Sequence, residues 1–200
     1  MLPVYLKTAT ACGTEMTLQT VRRVLPHEYT KYRHHLKSLD QESRILRFGY
    51  PVTDYVIDIL CDKFEKDHDH NVLFVIENDQ LEFIGVGHIA LYDTMELAFS
   101  VLKEHQGQGM GNKLMHRCIQ WCRTHGVVKG CMVCLSTNAA IRHLCGKYGI
   151  KMTNNQGETQ AEIELNPADA GTYLGEAFDS NVAAIDYFAK RAKYSLHLLS

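Results

Sequence analysis

The sequence predicts a mixed α/β (α+β) protein, a single domain spanning residues 1–200 around a central sheet of about six to seven strands. Three observations predict this class. The chain has 200 residues, 46% of them hydrophobic and 22% charged, which suits one substantial core. Segments of strand-like and helix-like periodicity alternate along it. A run of strands is also followed by a glycine-rich turn, a helix and another strand, an order that requires a crossover connection.

The first half of the chain contains one predicted strand, two helices and a three-strand meander. Apolar and polar residues alternate over 17–24, and a helix is expected from about His27 to Leu39. Further strands are expected at 72–76, 83–92 and 95–102. A second helix follows Pro51, with one apolar, buried face. The positions of that face are Val52, Tyr55, Val56, Ile59, Leu60 and Phe64.

The second half begins with an amphipathic helix over Gly109–His125. The continuously apolar segment Cys131–Leu135 predicts a strand that is buried on both faces beside a parallel neighbour. A helix over Asn138–Lys147 and a last alternating strand over Ala161–Leu165 complete a core of about residues 17–165.

An additional helical segment is expected over about residues 167–200, with Asn166-Pro167 as its cap and first turn. From Asn181 to Leu199 its apolar residues recur at helical spacing, so this face should pack against something apolar. Either the protein core or a second subunit would satisfy it, the latter as a homodimer. The residues concerned are Val182, Ile185, Phe188, Ala189, Ala192, Leu196 and Leu199.

Composition argues against several classes of partner. The formal charge of -2 and the pI of about 6.6 lack the basic excess that favours nucleic acid or an anionic membrane surface. No segment approaches the roughly 20 apolar residues of a membrane-spanning helix, and residues 1–6 do not resemble a secretion signal. The seven cysteines are an odd number and favour free thiols. We therefore expect a cytoplasmic protein.

The glycine-rich turn Gln106–Gly111, between a strand and a helix, is the strongest functional signal. Alternating glycines permit close approach of a ligand, and the unpaired first-turn N–H groups of a helix favour an anion such as phosphate. A Walker loop is excluded because no Ser or Thr follows Lys113. The dinucleotide pattern G-x-G-x-x-G also fails, since its third glycine would fall on Asn112.

The remaining pattern, Q/R-x-x-G-x-G at Gln106, Gly109 and Gly111, resembles the GNAT superfamily of acetyl-CoA-dependent N-acetyltransferases. The order of strands and helices over residues 17–165 fits that fold, which has helices on both faces of the sheet. The resemblance implies acetyl-CoA as co-substrate and no metal. It implies that the main chain of Ser100, Val101 and Leu102 pairs with pantetheine. It also implies that the pyrophosphate is bound by amides of Gln106, Gly107, Gln108, Gly109, Met110, Gly111 and Asn112.

Asn138, which opens the helix after the next strand, matches an asparagine that contacts the cofactor arm in this superfamily. A plain helix N-cap explains the same residue, and both roles are compatible.

Segments 42–48 and 95–99 look like the catalytic domain of bacterial protein-lysine acetyltransferases. In those enzymes a strand glutamate at the position of Glu96 is the general base; a cross-strand charge is the alternative. The tyrosine acid of many GNAT enzymes is replaced by Cys145, which is either a proton donor or a packing residue.

The acceptor is expected to be a primary amine, on a protein lysine or on a small molecule. Arg44 and Arg47 are placed in a loop of the acceptor wall, where they either select an acidic acceptor or are solvated. The missing tyrosine and the additional helix leave a second hypothesis, a non-catalytic acetyl-CoA-binding regulatory module.

Two patterns that resemble metal sites are better interpreted as free thiols and solvated histidines. Cys131-x-x-Cys134 has strand spacing that directs its sulfurs to opposite faces, so buried thiols are expected there. The histidines of segment 68–70 lie in a charged loop, where solvated histidines are usual.

Overall fold

The computed structural model describes residues 19–197, which form a seven-stranded mixed sheet with six α-helices. The strand order is β1-β2-β3-β4-β5-β7-β6, and only β4 and β5 are parallel neighbours. The predicted mixed class is confirmed. The strands are β1 Arg22–Arg23, β2 Asn71–Glu77, β3 Phe83–Leu91, β4 Met95–Val101, β5 Lys129–Leu135, β6 Lys151–Asn155 and β7 Glu158–Glu164.

Helices cover both faces of this sheet, as the sequence predicted. One face packs against α4 and α5 through a core that includes Phe74, Leu97 and Met115. The other face packs against α1 and α3 through a second core that includes Tyr32 and Val75. The helices are α1 Tyr29–Ser38, α2 Gln41–Phe48, α3 Asp54–Lys66, α4 Met110–Thr124, α5 Ala139–Lys147 and α6 Ala170–His197.

Two elements, α2 and β6, were not predicted. Helix α2 is bracketed by Asp40, whose carboxylate accepts the Ser43 N–H at 2.8 Å, and by Gly49, which ends it at φ +81°. Arg44 and Arg47 therefore lie on a helix, not in the expected loop. Strand β6 pairs only with β7 and is exposed throughout, so it lacks the apolar alternation that marks a half-buried strand.

The buried face of α3 was predicted partly incorrectly. Tyr55 and Ile59 are exposed, whereas Ile57 and Cys61 are the buried residues of the helix. Strand β5 is likewise not buried on both faces, because Val133 is exposed while Met132 and Cys134 are buried.

The C-terminal helix covers residues 170–197 of the predicted segment 167–200, and its apolar face does not pack on the core of its own domain. It begins at Ala170, and the Asp169 carboxylate caps it by accepting the Thr172 N–H at 2.7 Å, so Asn166-Pro167 is not its cap. Ile185, Phe188 and Leu196, expected to pack, are exposed. Strand β1 is shorter than the predicted strand; Thr17, Leu18 and Leu199 lie outside the described residues.

Candidate functional site

Strands β4 and β5 meet at one end and separate at the other. They pair only at Met95 with Gly130 and at Glu96 with Cys131. Gly130 permits this approach, because a Cβ there would lie 2.4 Å from the Met95 carbonyl oxygen. Beyond Glu96, β5 pairs with β7 alone among the described residues. A gap therefore opens between β4 and β5 and runs along β4 from residue 97 to its C-terminal end.

Within the segment 100–102, the main chain of Val101 is the part that faces this gap. The Leu102 N–H donates to Ile84 O on β3 at 2.9 Å, and the backbone groups of successive strand residues point to opposite neighbours. Val101 therefore turns its N–H and C=O away from β3. Of the three residues predicted to pair with pantetheine, Ser100 and Leu102 direct their backbone groups to β3, and Val101 directs its own toward the gap.

The glycine-rich turn joins β4 to the N-terminus of α4 in a conformation that requires glycine. Gly107 and Gly109 have φ values of +74° and +79°, in the left-handed region. Within the described chain, the N–H groups of residues 107–111 donate to no protein acceptor. Unpaired N–H groups and the positive end of a helix dipole together favour a bound anion at such a turn. The Gln106 and Asn112 N–H groups already donate to Lys103 O and Gly109 O.

Side chains fasten the turn to β4 and to α2. The Gln106 side-chain amide donates to Val101 O at 3.0 Å and to Ser43 Oγ at 3.3 Å. Lys103 Nζ lies 2.8 Å from Asp40 Oδ2, and this pair raises the pKa of Lys103 and lowers the pKa of Asp40. The first turn of α2 is therefore held beside the glycine-rich turn.

Glu96 lies at the closed end of the gap, with an exposed side chain. On the same face of β4, Ser100 is buried and its hydroxyl donates to His35 Nε2 at 2.9 Å, because Nδ1–H of that ring donates to Phe83 O. Glu96, Cys131 and Glu162 are in register across β4, β5 and β7. Glu96 is thus a solvent-accessible carboxylate on the helix α1 to α3 side of the sheet.

Helix α2 lies over the gap and contacts both β4 and β5. An open cleft of about 490 Å³ separates it from the end of β5. This segment was expected in the acceptor wall as a loop, and the cap signals Asp40 and Gly49 at its two ends could have predicted a helix. The cleft is lined by Gln41, Glu42, Ile45, Leu46, Leu135 and Thr137.

The two arginines of α2 have different surroundings. Arg44 is 2.7 Å from Asp54 and donates to the carbonyls of Leu39 and Lys37, so its role is structural. Arg47 donates instead to two neutral groups, Tyr32 Oη at 3.4 Å and His88 Nδ1 at 3.2 Å.

Asn138 is a helix cap, as one of its two interpretations predicted. Its buried side chain accepts the Ile141 N–H at 3.1 Å. Its amide donates to Leu46 O at 3.4 Å, so Asn138 also connects α5 to α2 at the cleft.

Cys145 lies in the core of the α4 and α5 face, with 0% of its surface exposed. Burial raises the pKa of its thiol to about 11. Tyr148 is nearer the turn, and its hydroxyl donates to Asn112 O at 3.3 Å. These surroundings are those of a packing cysteine.

The other cysteine and histidine patterns do not converge. The six described cysteines are free, with Cys134 buried and Cys131 half-buried on the opposite face of β5; Cys12 lies outside the described residues. Over residues 19–197, no group of three or more His, Cys, Asp or Glu side chains is arranged to hold a metal ion. Nor is any helix in that range long and apolar enough to cross a bilayer.

Comparison with known proteins identifies this arrangement. The family model described as "Acetyltransferase (GNAT) family" matches residues 34–150. The GNAT domain of S. lividans PAT superimposes with a TM-score of 0.61 at 19% identity, covering 72% of this chain and 89% of that one. An acetyltransferase from Salmonella typhimurium, solved with its cofactor acetyl-CoA and described as putative, gives 0.56 at 20% identity, covering 76% and 96%.

A third solved structure is the ribosomal-protein-S18-alanine N-acetyltransferase from Escherichia coli, with a TM-score of 0.56 at 13% identity, covering 76% of this chain and 97% of that one. At such identities these neighbours are evidence for the fold. The family model carries the assignment because it spans more than half of the chain. The protein belongs to the GNAT acetyltransferase family.

Proposed function

We propose that the protein is an acetyl-CoA-dependent N-acetyltransferase that transfers an acetyl group to a primary amine. The observation that carries this proposal is the row of unpaired N–H groups at residues 107–111, beside a gap between β4 and β5. A pyrophosphate at the N-terminus of α4 and an extended pantetheine arm in the gap would satisfy both.

In this arrangement the main chain of Val101 pairs with the pantetheine amides as an added strand. Ser100 and Leu102 define the strand on either side of it, and Gln106 holds the Val101 carbonyl at the edge of the gap. The amides of 107–111 bind the pyrophosphate, with Gln106 and Asn112 closing the turn at its ends. Asn138 holds α5 against α2 at the cleft, from which it can also contact the arm.

Glu96 is proposed as the general base. An alkylammonium must lose a proton before its nitrogen attacks the thioester carbonyl, and an exposed carboxylate at the closed end of the gap can accept that proton, directly or through water. The new C–N bond forms and the C–S bond breaks; the attacking nitrogen gives up its second proton to solvent, and the coenzyme A thiolate takes a proton from solvent. Cys145 receives no chemical role because its buried thiol is enclosed by the core.

The acceptor class stays open between a protein amine and a small molecule. The neighbours include proteins named for each kind, a ribosomal-protein alanine acetyltransferase and a spermidine N-acetyltransferase. The resemblance of segments 42–48 and 95–99 to protein-lysine acetyltransferases favours a lysine side chain.

The test is release of coenzyme A thiol from acetyl-CoA across a panel of amines and lysine-containing proteins. We expect Glu96→Gln to lower kcat by about 100-fold or more, the effect of removing a general base, without changing acetyl-CoA affinity. Glu162→Gln is the matched control, since it removes an exposed carboxylate from the same row of the sheet, two strands away.

Three outcomes separate the possibilities. Loss of turnover in Glu96→Gln alone supports the base assignment. Wild-type turnover in Glu96→Gln would show that Glu96 is not the general base, while the acetyltransferase activity itself would stand. If the wild type binds acetyl-CoA but releases no thiol with any acceptor, the regulatory acetyl-CoA-binding module replaces the enzyme.

A further inference from the structure

Helix α6 directs its polar side chains toward its own domain. Asp186 accepts the Thr20 hydroxyl at 2.6 Å and pairs with Lys190 at 2.8 Å, and Lys190 is buried and donates to Glu77 O. Ser180 accepts from Arg117 at 2.8 Å, and the Glu176 carboxylate accepts the Thr124 hydroxyl. The side of α6 that packs on α4 and β1 is thus held mainly by hydrogen bonds and ion pairs.

Apart from Asn181, the outward side of α6 is apolar, the reverse of an ordinary surface helix. Five large apolar side chains are each 56–72% exposed. At about 100° per residue, Leu174, Phe178, Ile185 and Leu196 fall within roughly 40° of arc together with Ala192, so they form one straight stripe. The five exposed residues are Leu174, Phe178, Ile185, Phe188 and Leu196.

The outward apolar side of α6 has the dimensions of a protein interface. A 28-residue helix is about 42 Å long, and five such side chains at roughly 200 Å² each when fully exposed would present about 600–700 Å². With the alanines between them, this approaches the ~800 Å² that each partner contributes to a standard interface. Exposed apolar patches of this size mark interaction sites.

The order of residues in the stripe selects a second copy in the opposite direction. Its members lie symmetrically about Ile185, with Leu174 and Leu196 eleven residues away on either side and Phe178 and Ala192 seven residues away. An antiparallel copy therefore presents the same pattern in reverse, whereas a parallel copy in register would place each Phe178 against the other.

We propose that two copies of this chain associate through antiparallel α6 helices, with a two-fold axis at Ile185. About that axis Leu174 faces Leu196 of the other copy, and Phe178 faces the small residue Ala192. Leucine then packs against leucine, and the large Phe178 side chain packs beside the small Ala192. The stripe is therefore complementary to a second copy of itself.

The first test is sedimentation equilibrium of the full chain at micromolar concentrations. We expect a dimer for the wild type and a monomer for Ile185→Glu, with an unchanged circular-dichroism spectrum. The matched control is Tyr55→Glu, which places the same charge at an exposed apolar residue of α3 and should stay dimeric.

A monomeric wild type would overturn the proposal. A lowered melting temperature for monomeric Ile185→Glu would then identify residues 1–18 of the same chain as the cover of the stripe. An unchanged melting temperature would instead leave the stripe to a different protein.

Single cysteine substitutions test the geometry. In the antiparallel dimer Ile185→Cys lies beside its copy and should form an intermolecular disulfide on mild oxidation, while Leu174→Cys or Leu196→Cys alone should not. Cross-linking at all three positions would indicate a parallel pair and contradict the proposed axis.

Discussion

Burial separates the two side chains that the sequence nominates for catalysis. Glu96 is exposed on β4 at the closed end of the gap, and Cys145 is enclosed in the core beneath α5. The sequence contains little that distinguishes them, because a charged residue at a strand position and a thiol on an apolar helix face each fit a structural role. Only the packing of α5 against the core that it shares with α4 assigns the thiol to the interior.

Cys145→Ala should therefore preserve turnover and lower stability. Loss of one buried sulfur leaves a small cavity, for which we expect about 1 kcal/mol of lost unfolding free energy and a kcat within about twofold of wild type. Urea denaturation and thiol-release kinetics measure the two quantities. Cys131→Ala, at a half-buried thiol of β5, is the control and should change stability by less than ~0.5 kcal/mol. A large loss of kcat in Cys145→Ala but not in Cys131→Ala would instead support Cys145 as the general acid.

The residue pattern of the turn is the best-predicted part of the site. Gly107 and Gly109 adopt left-handed torsions that other residues rarely adopt, so the presence of glycine at these positions predicts the conformation directly. The backbone direction of Val101 was not predictable in the same way, because it depends on the register of β4 against β3. The separation of Arg44 from Arg47 likewise depends on contacts with residues distant in sequence.

At the scale of elements, the junction of β4 with β5 creates the gap in which the acyl arm is proposed to lie. Gly130 sets this junction, since any side chain there would meet the backbone of Met95. Helix α2 lies over this gap and contacts both strands. The sequence predicted the two strands and their parallel direction, but not α2, whose apolar residues are few and only half-buried.

Gly130→Ala should weaken both the fold and acetyl-CoA binding. The added methyl would lie 2.4 Å from a carbonyl oxygen, and because backbone must move, we expect at least about 1–3 kcal/mol of lost unfolding free energy. Differential scanning calorimetry and acetyl-CoA titration measure the two effects.

The matched control for that substitution is Gly146→Ala, near the C-terminal end of α5, where a new methyl meets nothing within 4 Å. It should stabilise the protein by about 0.4–1 kcal/mol, because alanine restricts the unfolded chain. A Gly130→Ala protein as stable as wild type would contradict the tight junction.

For the whole molecule, the sequence predicted the mixed sheet, the meander, the crossover and the cover of helices on both faces. The sheet, the meander and the crossover follow from local periodicity and from turn-forming glycines, and the cover of both faces follows from the resemblance to the GNAT fold. The parts that it missed have weak local signals. Strand β6 is exposed throughout, and the apolar side of α6 faces away from its own domain, which periodicity alone cannot distinguish from a face that packs on the core.

Global stability should fall as the pH is lowered from about 7 to 5.5. Burial, aided by the nearby Arg47 charge, lowers the pKa of His35 to about 4 and that of His88 to about 3. Their unfolded values are near 6.5, so the unfolded chain binds more protons below that pH. The unfolding free energy then decreases as pH falls, by up to about 1.4 kcal/mol per pH unit for each histidine.

Urea denaturation at several pH values measures this slope. His88→Gln should remove about half of it, and His143→Gln, at an exposed position of α5, should leave it unchanged. A wild-type stability that is flat over this interval would contradict the neutral, buried state of the two rings.

Isothermal titration calorimetry with three proteins tests whether the turn before α4 binds acetyl-CoA. We expect saturable binding to the wild type and about 5- to 30-fold weaker binding to Gly109→Ala, since holding a side chain at φ +79° costs roughly 1–2 kcal/mol. Gly126→Ala carries the same strain at φ +73° at the other end of α4 and should bind like wild type. No binding to the wild type, or equal affinities for both variants, would contradict the claim.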